Sequence, residues 1–119
     1  MKKINGYIVA PFTPLNSDGS VNPSLIESYA EFLIRNHLDG VFLCGSSGEG
    51  ALLNQKERMK IAERWMEVVG TRLKIIIHTG GTNLVDQQYL SAHAQDIGVY
   101  AISAMAPMFL GPKIGRAHV

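Results

Sequence analysis

Apolar residues run along this chain in two alternating rhythms. Short runs at residues 7–10, 41–44, 74–78 and 101–105 are wholly or mostly apolar. Runs of that length are too short for helices, and strands apolar on both faces belong to a parallel sheet covered by helices. Between them the spacing turns helical. Ile26, Tyr29, Ala30, Leu33 and His37 share one face of a helix over residues 23–37, which Asn22 and Pro23 start as N-cap and first-turn residue. Asn54, with Glu57 three residues on, forms a capping box. The helix it opens turns Ile61, Ala62, Trp65, Val68 and Val69 inward and leaves Arg58, Lys60, Glu63, Arg64 and Glu67 largely in water, until Gly70 closes it. Asn83 caps a third helix, with Val85, Tyr89, Leu90, His93 and Ile97 toward the core and Gly98 at its end. Pro11 and Pro107 stop the first and last strands, and Asn16-Ser17-Asp18-Gly19 marks a turn.

Strands beginning near residues 7, 41, 74 and 101 define a repeated βα unit of nearly constant length. Such regularity favours a (β/α) barrel over a doubly wound sheet, and right-handed crossovers would gather every strand-exit loop on one rim. A closed barrel needs eight strands and about 250 residues. The expected fold is therefore α/β, the amino-terminal half of a TIM (β/α)8 barrel, with about four parallel strands and three helices in 119 residues. Two open sheet edges and an uncovered apolar face would favour self-association.

The most informative polar cluster is Gly45-Ser46-Ser47-Gly48-Glu49-Gly50, directly after the second strand. Strand carboxyl ends are where both open α/β sheets and barrels place ligands. Gly45 and Gly48 permit positive φ and close backbone approach, so Ser46 and Ser47 can turn hydroxyls and amides toward one anion, such as a carboxylate. A plain flexible connection has the same composition. Glu49, so near a buried strand, is expected to be paired or hydrogen-bonded, holding the loop's own N–H groups. A nucleophile elbow and a phosphate-binding Gly-Lys-Ser/Thr are both absent.

Charge removes other classes. The net charge is +1, and eleven Lys and Arg scatter among ten Asp and Glu without a basic face, so neither nucleic acid nor an anionic membrane is an expected partner. The lone Cys44 forms no internal disulfide, no leader-like apolar stretch opens the sequence and no run approaches spanning length, so a cytoplasmic setting is expected. Cys44 reads as a small buried thiol. His78 ends the third strand on the expected ligand rim; it could line a pocket, although a packed or hydrogen-bonded histidine is the plainer reading. His37, His93 and His118 show no metal-ligand spacing. Thr13 and Thr79 are weaker rim candidates.

The loop at residues 45–50, followed by Asn54-x-x-Glu57-Arg58, resembles the signature of the N-acetylneuraminate lyase and dihydrodipicolinate synthase family of class I aldolases. Ala10-Pro11-Phe12-Thr13-Pro14, Asp18-Gly19 and Ala101-Ile102-Ser103-Ala104 with Pro107 match in the same order. The likeness spans residues 4–112. Residues 104–110 look most like the lyase branch, and Leu110 stands where dihydrodipicolinate synthases carry a tyrosine that reaches a neighbour's proton relay.

The resemblance implies reversible cleavage of N-acetylneuraminate to pyruvate and N-acetylmannosamine through a lysine Schiff base, with no metal or other cofactor. The iminium would act as the electron sink. Ser46 and Ser47 match the family's carboxylate-binding hydroxyl pair. The implied Schiff-base lysine and tyrosine belong to the sixth and fifth strands, beyond residue 119, so this polypeptide is expected to be inactive alone; the complete protein is expected to be a homotetramer. Another keto-acid aldolase, or a non-catalytic sugar-acid binding protein, remain alternatives. Residues 113–119 read as a translated sequencing adapter, a non-native tail on a domain comprising residues 1–112; finding them in intact genomic DNA would defeat that reading.

Overall fold

A computed structural model describes residues 3–107. Strand β1 (Ile8–Val9), helix α1 (Ser24–Arg35), β2 (Gly40–Leu43), α2 (Gln55–Val69), β3 (Lys74–His78), α3 (Leu84–Asp96) and β4 (Ala101–Ser103) follow in chain order. The strands form one parallel sheet in the order β1-β2-β3-β4, with Val9 beside Val41, Leu43 beside Ile77 and Ile77 beside Ile102. The four strands and three helices agree with the expected half of a (β/α)8 barrel. The first and last strands are shorter than their apolar runs. The proposed tail at residues 113–119, Leu110 and His118 lie outside the described residues.

Local chemistry explains the helix boundaries. Asn22 Oδ1 accepts from the Ser24 amide at 3.2 Å and the Ser24 hydroxyl at 2.5 Å. The Asn54 capping box is complete: its side chain accepts from Glu57 N at 2.8 Å, and its amide donates to Glu57 Oε1 at 2.9 Å. Asn83 accepts from Asp86 N at 3.1 Å. α1 ends before His37, which is exposed at φ 61° instead of facing the core. Its amide bonds Ile34 O and the next amide, of Leu38, reaches Leu33 O. This Schellman geometry needs a left-handed residue, and here histidine supplies it.

The core lies between sheet and helices. Val41, Leu43, Ile75 and Ile77 meet Ile26, Ala30 and Leu33 of α1 and Ile61, Ala62, Trp65 and Val69 of α2. Tyr29 links Phe12, stacked at 4.6 Å, to Trp65, edge-on at 5.9 Å. Burial of the strands is one-sided, contrary to expectation. The alternate residues Phe42, Ile76 and His78 are only half-buried, because no described element covers the sheet face turned away from the helices. Val85 and Tyr89 are also exposed. α3 is the last described helix, so only the flank bearing Leu90 and Ala94 is packed. The largest departure is Arg58, which is buried at 7% exposure instead of facing water.

Candidate functional site

All four strand exits lie side by side on one rim and are tied together by hydrogen bonds. Thr13, after β1, donates its hydroxyl to Gly48 O at 2.6 Å. Arg58, on α2, donates from Nη1 to Gly80 O at 2.9 Å and from Nη2 to His78 O. Thr79 N, after β3, reaches Ser103 O at 2.8 Å. Thus Thr13 braces the β2 loop from one side, and Arg58 pins the β3 exit to α2 on the other.

Ser46 and Ser47 occupy this rim, in the turn that follows β2, and both are exposed. Their hydroxyls have no hydrogen-bond partner among the described residues, whereas the backbone around them is tied: Glu49 N bonds Ser46 O at 3.0 Å and Gly50 N bonds Gly45 O at 3.0 Å. A held backbone with free hydroxyl donors suits an external anion. The glycines act through space more than through dihedrals. A Cβ on Gly50 would stand 1.9 Å from Cys44 O, one on Gly48 3.0 Å from Cys44 N, and one on Gly45 2.5 Å from Phe42 Cε1. The left-handed positions fall instead on Cys44, at φ 60°, and Glu49, at φ 56°.

Glu49 differs from expectation in another respect. Its carboxylate is exposed and has no partner among the described residues. The residue shapes the loop through its backbone, with its carbonyl accepting from Leu52 N at 2.9 Å in a 3-10 turn over Gly50–Leu52. Burial pushes the Cys44 thiol above its ordinary range, with the neighbouring Arg58 charge opposing it. That describes an inert thiol. Burial, then the Arg58 charge, hold the His78 imidazole below its ordinary value. No cluster of potential metal ligands occurs among the described residues. A cavity of about 230 Å³ opens beside the serines rather than at them, between the amino-terminal ends of α2 and α3, lined by Gly50, Asn54, Arg58, Thr79, Asn83 and Asp86. The described lysines lie elsewhere: Lys56 and Lys60 are exposed on α2, Lys74 begins β3 over the Tyr100 ring at the opposite end, and Lys3 precedes β1.

Arg58 is the residue that sequence reasoning missed. Its signal was present, since position 58 lies three residues before Ile61 and seven before Trp65, in phase with the buried stripe.

A parallel βα sheet with a glycine-tightened, hydroxyl-bearing loop on its exit rim defines part of a (β/α)8 barrel with its ligand site at the carboxyl ends of the strands. The sequence profile of the dihydrodipicolinate synthetase family matches residues 3–115, and the chain belongs to that family. It is 37% identical over 114 residues to N-acetylneuraminate lyase A of Xenopus laevis, covering 94% of this chain and 37% of the relative. Its fold superposes on the N-acetylneuraminate lyase of Proteus mirabilis with a TM-score of 0.91 at 38% identity, covering 94% of this chain and 38% of the other. Dihydrodipicolinate synthase of Aquifex aeolicus gives 0.86 at 30% identity, covering 92% and 37%. The chain spans a little over a third of the length of these relatives. No helix among the described residues is long and apolar enough to cross a membrane.

Proposed function

We propose that this segment supplies the keto-acid carboxylate site of an N-acetylneuraminate lyase, and that the complete protein cleaves N-acetylneuraminate to pyruvate and N-acetylmannosamine. The observation that carries the reading is the pair of Ser46 and Ser47 hydroxyls, without a partner among the described residues, on a braced loop at the strand exits. Hydroxyl and amide donors there would fix the carboxylate and so orient the adjoining carbonyl for attack by an amine. A lysine Schiff base supplies the electron sink for carbon–carbon cleavage. The family resemblance assigns the amine to a later strand of the barrel, and on that reading the 119-residue chain alone is inactive. The identities of 37% to the Xenopus lyase and 38% to the Proteus lyase, against 30% to the Aquifex synthase, favour lyase over synthase chemistry. A cytoplasmic, homotetrameric complete protein is the accompanying proposal, resting on the family resemblance.

The test is a chimera in which residues 3–107 replace the corresponding segment of the Proteus mirabilis lyase. The reading expects pyruvate release from N-acetylneuraminate and a raised KM when Ser46 and Ser47 are both changed to Ala. A folded chimera that takes up pyruvate but leaves N-acetylneuraminate uncut would contradict it.

A further inference from the structure

The sheet face turned away from the helices carries an imidazole at its exit end that the carboxylate loop does not use. His78 is the last residue of β3, one step beyond the Leu43–Ile77 pair and beside Ser103 of β4. Its ring leans toward the rim: Nε2 and Cε1 lie 2.8 and 2.9 Å from the point where Gly80 would carry a Cβ. Phe42 on β2 leans the same way, toward Gly45. The two rings sit 6.0 Å apart at 37° and make a floor at the base of the strand exits. Glycines at 45 and 80 leave both rings room.

The imidazole has no hydrogen-bond partner among the described residues; the backbone carbonyl of His78 accepts from Arg58. Among the described residues the buried side-chain polar atom without a partner is Arg58 Nε, so the His78 ring nitrogens reach solvent at the open face and are accessible to a ligand. The ring thus offers polar atoms at the base of the strand exits, where Phe42 offers none. The neighbouring charge is the Arg58 guanidinium, which with burial favours the neutral ring, leaving one nitrogen as donor and the other as acceptor.

We propose that His78 is a substrate-contacting residue, donating its ring N–H to an oxygen of the keto acid whose carboxylate the Ser46–Ser47 loop holds. The proposal rests on the carboxylate reading of that loop and adds a contact from the adjacent strand.

The experiment titrates the 119-residue chain, labelled with ¹⁵N, with pyruvate. It follows the His78 ring nitrogens, assigned by difference against His78→Phe, together with the Ser46 and Ser47 amides; equilibrium dialysis gives affinities. The His78 ring and the two amides should shift with a common midpoint. His78→Phe should weaken pyruvate binding about fivefold, the worth of one neutral hydrogen bond, while the loop amides still respond; His78→Gln, which keeps an N–H donor, should recover part of the loss. An unmoved ring beside responding amides, or His78→Phe binding like the parent, overturns the proposal and spares the loop reading. Absence of any amide response overturns the loop reading itself, and this contact with it.

Discussion

The imidazole of His78 fills the space that a side chain at residue 80 would need: a Cβ on Gly80 would stand 2.8 Å from Nε2. The histidine and the glycine thus form one unit at the β3 exit. Gly80→Ala should cost only about 1 kcal/mol, because the imidazole can swing aside, and it should turn the ring away from the rim. In a double-mutant cycle with His78→Ala by urea unfolding, the two losses should be less than additive. Strict additivity would show that the ring does not occupy that space.

The β2 loop is tighter at Gly50 than at any other glycine of the 45–50 stretch. A Cβ there would meet Cys44 O at 1.9 Å, and backbone cannot move aside as a side chain can. Gly50→Ala should destabilise by about 3 kcal/mol, at the upper end for overpacking. Glu49 gives the opposite expectation. With a left-handed φ and a free carboxylate, Glu49→Gly should stabilise by roughly 0.5–1 kcal/mol and Glu49→Gln should be neutral. Thermal melts of the three variants check both; a clear loss in Glu49→Gln would restore a partner for the carboxylate.

Arg58 joins α2 to the β3 exit through two carbonyls, and its Nε is buried without a partner. Arg58→Leu leaves the carbonyls of His78 and Gly80 without their donor and should cost about 2–4 kcal/mol. Arg58→Lys, with a point charge in place of the fork, should recover only part. Urea midpoints for the two variants decide this. A loss below about 0.5 kcal/mol for Arg58→Leu would return the residue to the solvated face.

Legibility from sequence divides along local and non-local lines. The four strands, the Asn54 capping box and the Asn83 cap were readable, because each is settled by neighbours within about four residues. Arg58 was not, since its acceptors are twenty and twenty-two residues away, and a charged residue on a helix is ordinarily solvated. The Ser46–Ser47 rim position followed from the strand before it. The division of labour within the loop did not: the glycines answer contacts with Cys44, Phe42 and Pro11 that only the folded chain brings together. Val85 and Tyr89 were misjudged because an apolar stripe says nothing of whether a neighbour covers its whole width.

His78 also sets a pH dependence. Burial and Arg58 lower its folded pKa below the ordinary value of 6.5. Between the folded value and 6.5 the unfolded chain binds more protons, so stability rises with pH. The contribution is complete above about pH 6.5 and is lost as pH falls through that value toward the folded pKa. Urea unfolding of the parent and His78→Phe from about pH 5 to 8 should show a shallower slope in the variant, with His37, His93 and His118 common to both. Identical slopes would mean that the imidazole titrates as it does in the unfolded chain.

The most direct measurement of the central claim is equilibrium dialysis of pyruvate against the chain and its Ser46→Ala/Ser47→Ala form. Neither hydroxyl has a hydrogen-bond partner among the described residues, so the double variant should melt like the parent. With charge-assisted bonds to a carboxylate worth about 1.5–3 kcal/mol each, it should bind pyruvate at least about a hundredfold more weakly. Equal pyruvate affinity in the two proteins would place the keto-acid carboxylate somewhere other than the β2 exit.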